Sequence, residues 1–530
     1  MKTLLLSLAL FTSLFLESQN IGDFTSITPA TQTEAFVISS SHTFQKIIEV
    51  GDALDIGGSL PINPDFTGYV PITGSSTNGY LSINSEAGPG GNTILDINFD
   101  SSSNLWEITA SEAVDFTDPN IVGTFANCSG TVTSWGTVIT SEEFSIPNDT
   151  NSDGYYDVGW NIEIDPVTKT VVNNQKLWAL GNFKHENVVV HSNDRTVYQG
   201  ADDTSGFGFL YKFVATTAQD LSKGDLYVYT GPKSGSGSWV MINDSSIPAH
   251  ETPSHRNNTM ALANGVGATN FVGIEDVEIG PDGWIYFAVK SAPDKRVYRF
   301  QDSDPITGTT VTNMETFVGN TDTNPNIEYN IFDGNNTTAV AWGSGNDNLA
   351  FDNDGNLWVL QDGSTDYIWV VKSGHTQAIP DVEIFGVVPL GAEPTGITFS
   401  PDNKFLFMSV QHPDSGNVAN QIDAAGNTVN FDKGTVLVIA RNENLGTSLF
   451  VKEPFTTNYK LFPNPLESNK ILNIKGIQID NVQLFSILGE KLLDVDYNNA
   501  NEVNLKLKNR IPGLYLIKIN NKQSIKLIIN

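Results

Sequence analysis

Leu349-Ala350-Phe351-Asp352-Asn353-Asp354-Gly355-Asn356-Leu357-Trp358 reads as a strand, a tight turn and a second strand. Apolar residues flank an Asn-Asp-Gly turn, whose residues tolerate the left-handed backbone that a hairpin needs. Three other stretches repeat the pattern: Val188–Tyr198 around Ser192-Asn193-Asp194, Val277–Tyr286 around Pro281-Asp282-Gly283, and Ile397–Leu406 around Pro401-Asp402-Asn403. Two of these units lead towards a further alternating run, Phe209-Leu210-Tyr211-Lys212-Phe213 or Arg296-Val297-Tyr298-Arg299-Phe300. Helical periodicity is almost absent. A hairpin repeated at one phase is the inner half of a β-propeller blade, here with long insertions; unrelated hairpins in sandwiches are the alternative. The expected fold is all-β, a β-propeller with insertions followed by a small C-terminal β-sandwich. A propeller brings the ends of its inner strands together on one axis, so residues far apart in sequence can meet there.

Composition narrows the setting. The chain has 530 residues and a net charge of −31. So negative a surface excludes nucleic acid as a partner and favours divalent cations. Residues 1–20 have a short basic start and the apolar run Leu4–Phe11, the layout of a signal peptide with cleavage near Ser18–Asn20. No later apolar run reaches membrane-spanning length, so an exported, soluble protein is expected.

The charge balance changes near residue 456. Residues 456–530 carry ten basic and six acidic side chains, against a strongly acidic remainder. That step divides the chain into a propeller domain at 21–455 and a terminal domain at 456–530. Within the second, Leu461-Phe462-Pro463-Asn464-Pro465 and Gly513-Leu514-Tyr515 resemble the landmarks of the type A sorting domain of the Bacteroidetes type IX secretion system. The resemblance implies the type IX machinery as a partner and a secreted or cell-surface location.

Several residues point to metal chemistry. Cys128 is the single cysteine and therefore has no partner within the chain; it is followed by Trp135-Gly136 and by the pair Glu142-Glu143. A thiol near carboxylates is either a mixed soft and hard metal site or a buried small hydrophobe. Asp149, Asn151, Asp153 and Asp157 place oxygens at positions 1, 3, 5 and 9 of a loop with Gly154 at its turn, and Tyr155 adds a backbone carbonyl. That is calcium-loop spacing, although Trp160 stands where a closing glutamate is usual; Glu163 is a candidate closer. Further acids sit at the ends of apolar strands: Glu186, Asp202, Asp203, Glu275, Asp276, Asp347 and Glu393. Singly, each reads as a solvated surface acid; their recurrence points to a collective role.

In order, these motifs resemble the PhoX-type alkaline phosphatases, secreted six-bladed β-propeller enzymes, so the resemblance implies six blades. The likeness runs from about Ser41 to about Ala440, through Asp65-Phe66-Thr67-Gly68-Tyr69-Val70, Gly79–Glu86, the cysteine block, Lys184-His185-Glu186, Asp202-Asp203, Ile274-Glu275-Asp276, Asp347–Asp352, Glu393-Pro394-Thr395-Gly396 and Gln411-His412-Pro413. The resemblance implies a Ca2+ and Fe3+ centre in the channel that hydrolyses phosphate monoesters of small phosphorylated substrates. It implies Cys128, Glu143, Glu186, Asp203 and Glu275 as metal ligands, with Asp347 and Glu393 placed by their blocks. Three positions depart from the pattern: Gly273 where the phosphatases carry an arginine, Ser85 where a histidine is common, and Gly208 where an acid is frequent. Lys184, Arg256, Lys290 or Lys295 could supply the missing cation, and His185 and His412 could orient other groups. The alternatives are a calcium-stabilised extracellular binding module, or a propeller hydrolase acting on phosphodiesters or lactones.

Overall fold

In a computed structural model of the chain, six strands lie side by side around a closed ring: Pro64–Pro71, Asn127–Val132, His185–Val190, Ile274–Ile279, Asn346–Phe351 and Glu393–Phe399. Each packs against the next, and the sixth returns to the first. The structure describes residues 20–530 apart from 364, 447–458, 468–469, 488, 509 and 521–522; the signal-peptide expectation lies outside the described residues.

Each ring strand opens an antiparallel run that travels outward. The second strands are Asn78–Ser85, Val138–Glu142, Thr196–Ala201, Ile285–Val289, Leu357–Gln361 and Phe405–Gln411. The four hairpins singled out in the sequence are ring hairpins of this kind. Third and fourth strands complete each run; Gly235–Asn243 links the third and fourth runs into one continuous sheet. The architecture is a β-propeller, as expected from the repeat.

The cores lie between neighbouring sheets. Leu81, Leu95 and Trp106 of the first run pack with Phe405, Phe407 and Val436 of the sixth, and Trp358 and Phe385 of the fifth with Leu406 and Met408 of the sixth. Strands flanked on both faces need apolar residues throughout, which explains the uninterrupted Tyr367-Ile368-Trp369-Val370-Val371. The sixth run takes its outermost strand from the other end of this unit: His42–Glu49 pairs antiparallel with Thr435–Arg441.

The chain divides into two compact units, Met1–Thr447 and Ser448–Asn530. The second is also β-rich. Its antiparallel strands Lys460–Phe462, Ile471–Ser486, Lys491–Lys506, Gly513–Ile519 and Gln523–Ile529 cover a core of Leu472, Leu484, Ile517 and Leu527. Among the described residues no helix is long and apolar enough to cross a membrane.

Removing residues 20–49 strips the partner from Thr435–Arg441, a wholly buried strand, and leaves it as a flat apolar edge. Such a truncated protein is expected to elute as aggregate in size-exclusion chromatography, while the chain from residue 20 elutes as a discrete folded species.

Candidate metal centre

Two rings of side chains crown one end of the channel. The inner ring comes from the second residue of five ring strands: Asp65, Cys128, Glu186, Glu275 and Asp347. In the sixth strand that place falls to Pro394, and Glu393 stands one residue earlier, opposite Gln411. The outer ring is formed by the residue that follows each second strand: Glu86, Glu143, Asp202, Lys290, Asp362 and His412.

A β-bulge produces the inner ring. In the first five hairpins the pairing slips by one residue immediately after the first pair, so Asp65-Phe66, Cys128-Ser129, Glu186-Asn187, Glu275-Asp276 and Asp347-Asn348 each oppose a single partner residue. A bulge re-aims the side chains it carries. The first member of four of these pairs, all but Cys128, lines a cavity of about 80 Å³ together with Glu86, Glu143, Lys290, Asp362 and Glu393. The second members line a larger cavity of about 580 Å³ further along the channel. In the sixth hairpin the slip comes later, at Gly396. Gly396 adopts φ +59°, and a Cβ there would lie 2.4 Å from the Asp65 carbonyl oxygen, so only glycine fits.

Between the two cavities runs a belt of hydrogen bonds. Asn187 donates to Asp276, whose second oxygen accepts from the Leu349 amide at 2.6 Å. Asn348 donates to Ser129 and accepts from the Gly396 amide, and the single Thr395 hydroxyl hydrogen is shared between the Asn348 amide oxygen and Asp65. Gln411 bridges Asp65 and Glu86 at 3.1 and 3.0 Å. The belt fixes the inner carboxylates before any ligand arrives.

Acid crowding sets the electrostatics. Oxygens of Glu143, Glu186 and Asp202 lie within 4.8 Å of one another, as do those of Glu186, Glu275 and Asp347, so Glu186 belongs to both triads. Burial, then Glu275 and Glu143, push Glu186 well above the carboxylate range; burial and neighbouring acids do the same for Glu275, Asp347 and Glu393. Burial and Glu86, with which it shares a hydrogen bond, take Glu143 up to about 9. Asp65 rises to about 7, chiefly through burial. Carboxyls held in this way bind either protons or cations. The donor set, hard oxygens converging in two groups, fits Ca2+ or Fe3+.

Cys128 is buried, and its sulfur lies 3.4–3.6 Å from the carbonyl oxygens of Ser141, His185 and Glu186, any one of which can accept its single thiol proton. Burial and then Glu186, Glu143, Asp65 and Glu86 raise its pKa strongly. The sulfur touches backbone carbonyls and lines no part of the acid cavity, and it stays a thiol unless a strong cation takes the proton's place.

Three expectations change. Asp203 was placed among the ligands, but the structure puts Asp202 in the ring. Asp203 turns onto the Ser205 amide and hydroxyl and onto Lys184 at 3.3 Å, because the backbone leaves the strand at Ala201 and consecutive side chains diverge. Glu142 faces away from Glu143: it accepts from Lys176 at 2.6 Å, from Thr124 and from the Phe125, Gly159 and Trp160 amides, which makes it an internal brace. Glu163 does not close the 149–157 loop; it accepts from Trp135 and Thr137. Within that loop Asp149, Asn151 and Asp153 are exposed and accept from the loop's own amides, while Asp157 is buried against the Thr150 amide and Asn148. Tyr155 stacks on Trp178 with centroids 4.0 Å apart. His185 lies outside the ring, between Asn161 and the Gly181 carbonyl. Asp65, Glu86 and Asp362 join the cavity; the first two stood in quoted motifs, whereas Asp362 had only its place after an apolar strand to mark it.

The family described as alkaline phosphatase PhoX matches residues 103–414, and a secretion system C-terminal sorting domain matches residues 460–530. Among solved structures, Pseudomonas fluorescens PhoX in complex with vanadate, a transition state analogue, superposes with TM-score 0.61 at 20% identity, over 80% of this chain and 99% of that one. A calcium structure of the Trichoderma reesei carbohydrate-active family AA12 gives TM-score 0.36 at 12% identity, over 79% and 99%. No curated protein matches. The fold is that of a propeller phosphatase. The chain belongs to the PhoX alkaline phosphatase family, and its sorting domain marks it for export to the cell surface or beyond.

Two outcomes follow from the geometry. The raised carboxyls favour a folded state that keeps their protons, so metal-free protein should lose thermal stability as pH rises from the ordinary carboxyl range of about 4 through about 7, the loss levelling off above about 9. With saturating Ca2+ the trend should reverse, because cations displace those protons more readily at high pH; calorimetric scans at both conditions check this. Lys176→Met leaves Glu142 buried and unpaired and should cost about 3–5 kcal/mol in denaturant titration.

Proposed function

We propose that this protein hydrolyses phosphate monoesters outside the cell, at a mixed iron and calcium centre held by the two rings. The single observation that carries the reading is the pair of acid triads joined through Glu186, set inside the channel of a PhoX-family propeller. We read the six strand runs as six blades, each giving the centre one residue from its first strand and one from the end of its second.

Glu143, Glu186 and Asp202 would hold one cation and Glu186, Glu275 and Asp347 another, with Cys128 offering a soft donor beside them. Bound cations supply Lewis acidity towards a phosphoryl oxygen and towards water, the chemistry a phosphate ester needs. The chain's own part is placement. The bulged strand starts present carboxylates at fixed spacing, the belt around Asn348 and Thr395 holds them, and Gln411 ties Asp65 to Glu86 across two blades. Positive charge gathered there also reverses the sign of the local field, so an anionic ester can enter a protein of net charge −31. Glu393 and His412 meet at 3.4 Å at the rim, where a leaving alcohol would depart. The exposed Asp149–Asp157 loop is a separate place for calcium, a clip on the surface rather than part of the reaction.

Protein carrying residues 20–530, isolated without chelator, should contain iron by elemental analysis and release phosphate from p-nitrophenyl phosphate in calcium buffer. Cys128→Ser should lower both iron content and turnover by at least tenfold while calcium content stays within a factor of two. Active protein in which Cys128→Ser leaves iron unchanged would remove the thiol from the centre; calcium alone with no turnover would remove the reading altogether.

A further inference from the structure

Five of the six outer-ring places hold an acid or a histidine; the place after Ile285–Val289 holds Lys290. It is the only basic residue among those that line the acid cavity. Its ammonium lies 2.6 Å from Asp202 and 2.5 Å from Glu275, and so touches one member of each triad. An ammonium has three N–H groups, and these two contacts leave one for a ligand. The side chain is 31% exposed, so it is not sealed within the ring.

The room for this lysine comes from Gly273. That residue adopts φ +87°, and a Cβ built on it would lie 3.2 and 3.3 Å from Lys290 Cγ and Cε and 2.8 Å from Asp202 Oδ1. A long side chain at 273 and the observed path of Lys290 therefore exclude one another. The other basic residues in question lie elsewhere. Lys184 is held by Asp203, Arg256 is paired with Glu251 at 2.6 Å, and Lys295 lines no part of the cavity.

We propose that Lys290 is the substrate-recognition residue of this chain: its ammonium binds a non-bridging oxygen of the substrate phosphate, in the space that Gly273 leaves open. The proposal rests on the phosphatase reading above. Once cations satisfy Asp202 and Glu275, the ammonium is released from pure charge balance and faces an anion held across the two triads. A lysine binds phosphate as a point charge with rotatable donors, where an arginine would offer a fixed fork. The chain should therefore tolerate esters of varied shape and pay for it in affinity.

The test uses the metal-loaded chain, with Lys290→Met and Lys290→Arg loaded under the same conditions and their bound cations counted by elemental analysis. Losing one charge-assisted contact corresponds to roughly 10- to 100-fold in binding. Lys290→Met should weaken inorganic phosphate binding in titration calorimetry by that factor and raise KM for p-nitrophenyl phosphate in parallel. Lys290→Arg should recover most of the phosphate binding. Unchanged phosphate affinity and KM in Lys290→Met would overturn the proposal. So would an equal loss of bound cations in both variants, which assigns Lys290 to holding the acids together. So would an extra bound cation in Lys290→Met with phosphate affinity unchanged, which makes the lysine a stand-in for an ion. An unsubstituted protein that carries its cations yet neither binds phosphate nor turns over monoesters fails the underlying reading instead, and is separated from these outcomes by that control.

Discussion

Eight carboxyl groups share a cavity of about 80 Å³ with one ammonium. At the separations in the two triads, like charges in a partly dry site repel by several kcal/mol even with generous screening. The ring cannot exist fully ionised by itself. It must hold protons, as the raised carboxyls show, or gather cations. Everything distinctive about this end of the channel follows from that demand: the lysine that meets two acids, the hydrogen bond shared by Glu86 and Glu143, and the neutral thiol of Cys128 surrounded by carbonyls.

The propeller makes such crowding possible at tolerable cost. Each acid is tied to a strand that pairs on one side and packs on both faces, so repulsion at the tip works against a rigid core rather than a loop. The one-residue slip in five hairpins sends one side chain into the inner ring and the next towards the larger cavity. The sixth hairpin departs, with proline at the ring place and a glycine where the backbone of the first strand crosses closely. That is where the ring closes, and His42–Glu49 fastens the same sheet from the outside.

Much of this was legible in the amino-acid order. Four hairpins with Asp- and Asn- or Gly-bearing turns announced the repeat, because few residues accept the backbone of a tight turn. Glu186, Glu275, Asp347 and Glu393 stood at strand starts and line one cavity, and Cys128 holds the matching place on its own ring strand. Other features turn on register, which composition does not carry. Asp202 and Asp203 are chemically alike and adjacent, and only the point where the strand ends decides which faces the axis. Glu142 and Glu143 differ in the same way. Lys290 looked like one of several lysines until the ring placed it opposite Gly273. Asp362 gave no signal besides a place after Leu357–Gln361, which becomes informative only when six such places are compared.

Crystals of protein loaded with iron and calcium, examined by anomalous diffraction at wavelengths suited to each element, test the account most directly. It requires a cation within about 2.0–2.6 Å of oxygens from Glu143, Glu186 and Asp202, and a second bridged to Glu275 and Asp347 through Glu186. Carboxyls paired through protons around a ring without anomalous density would contradict it.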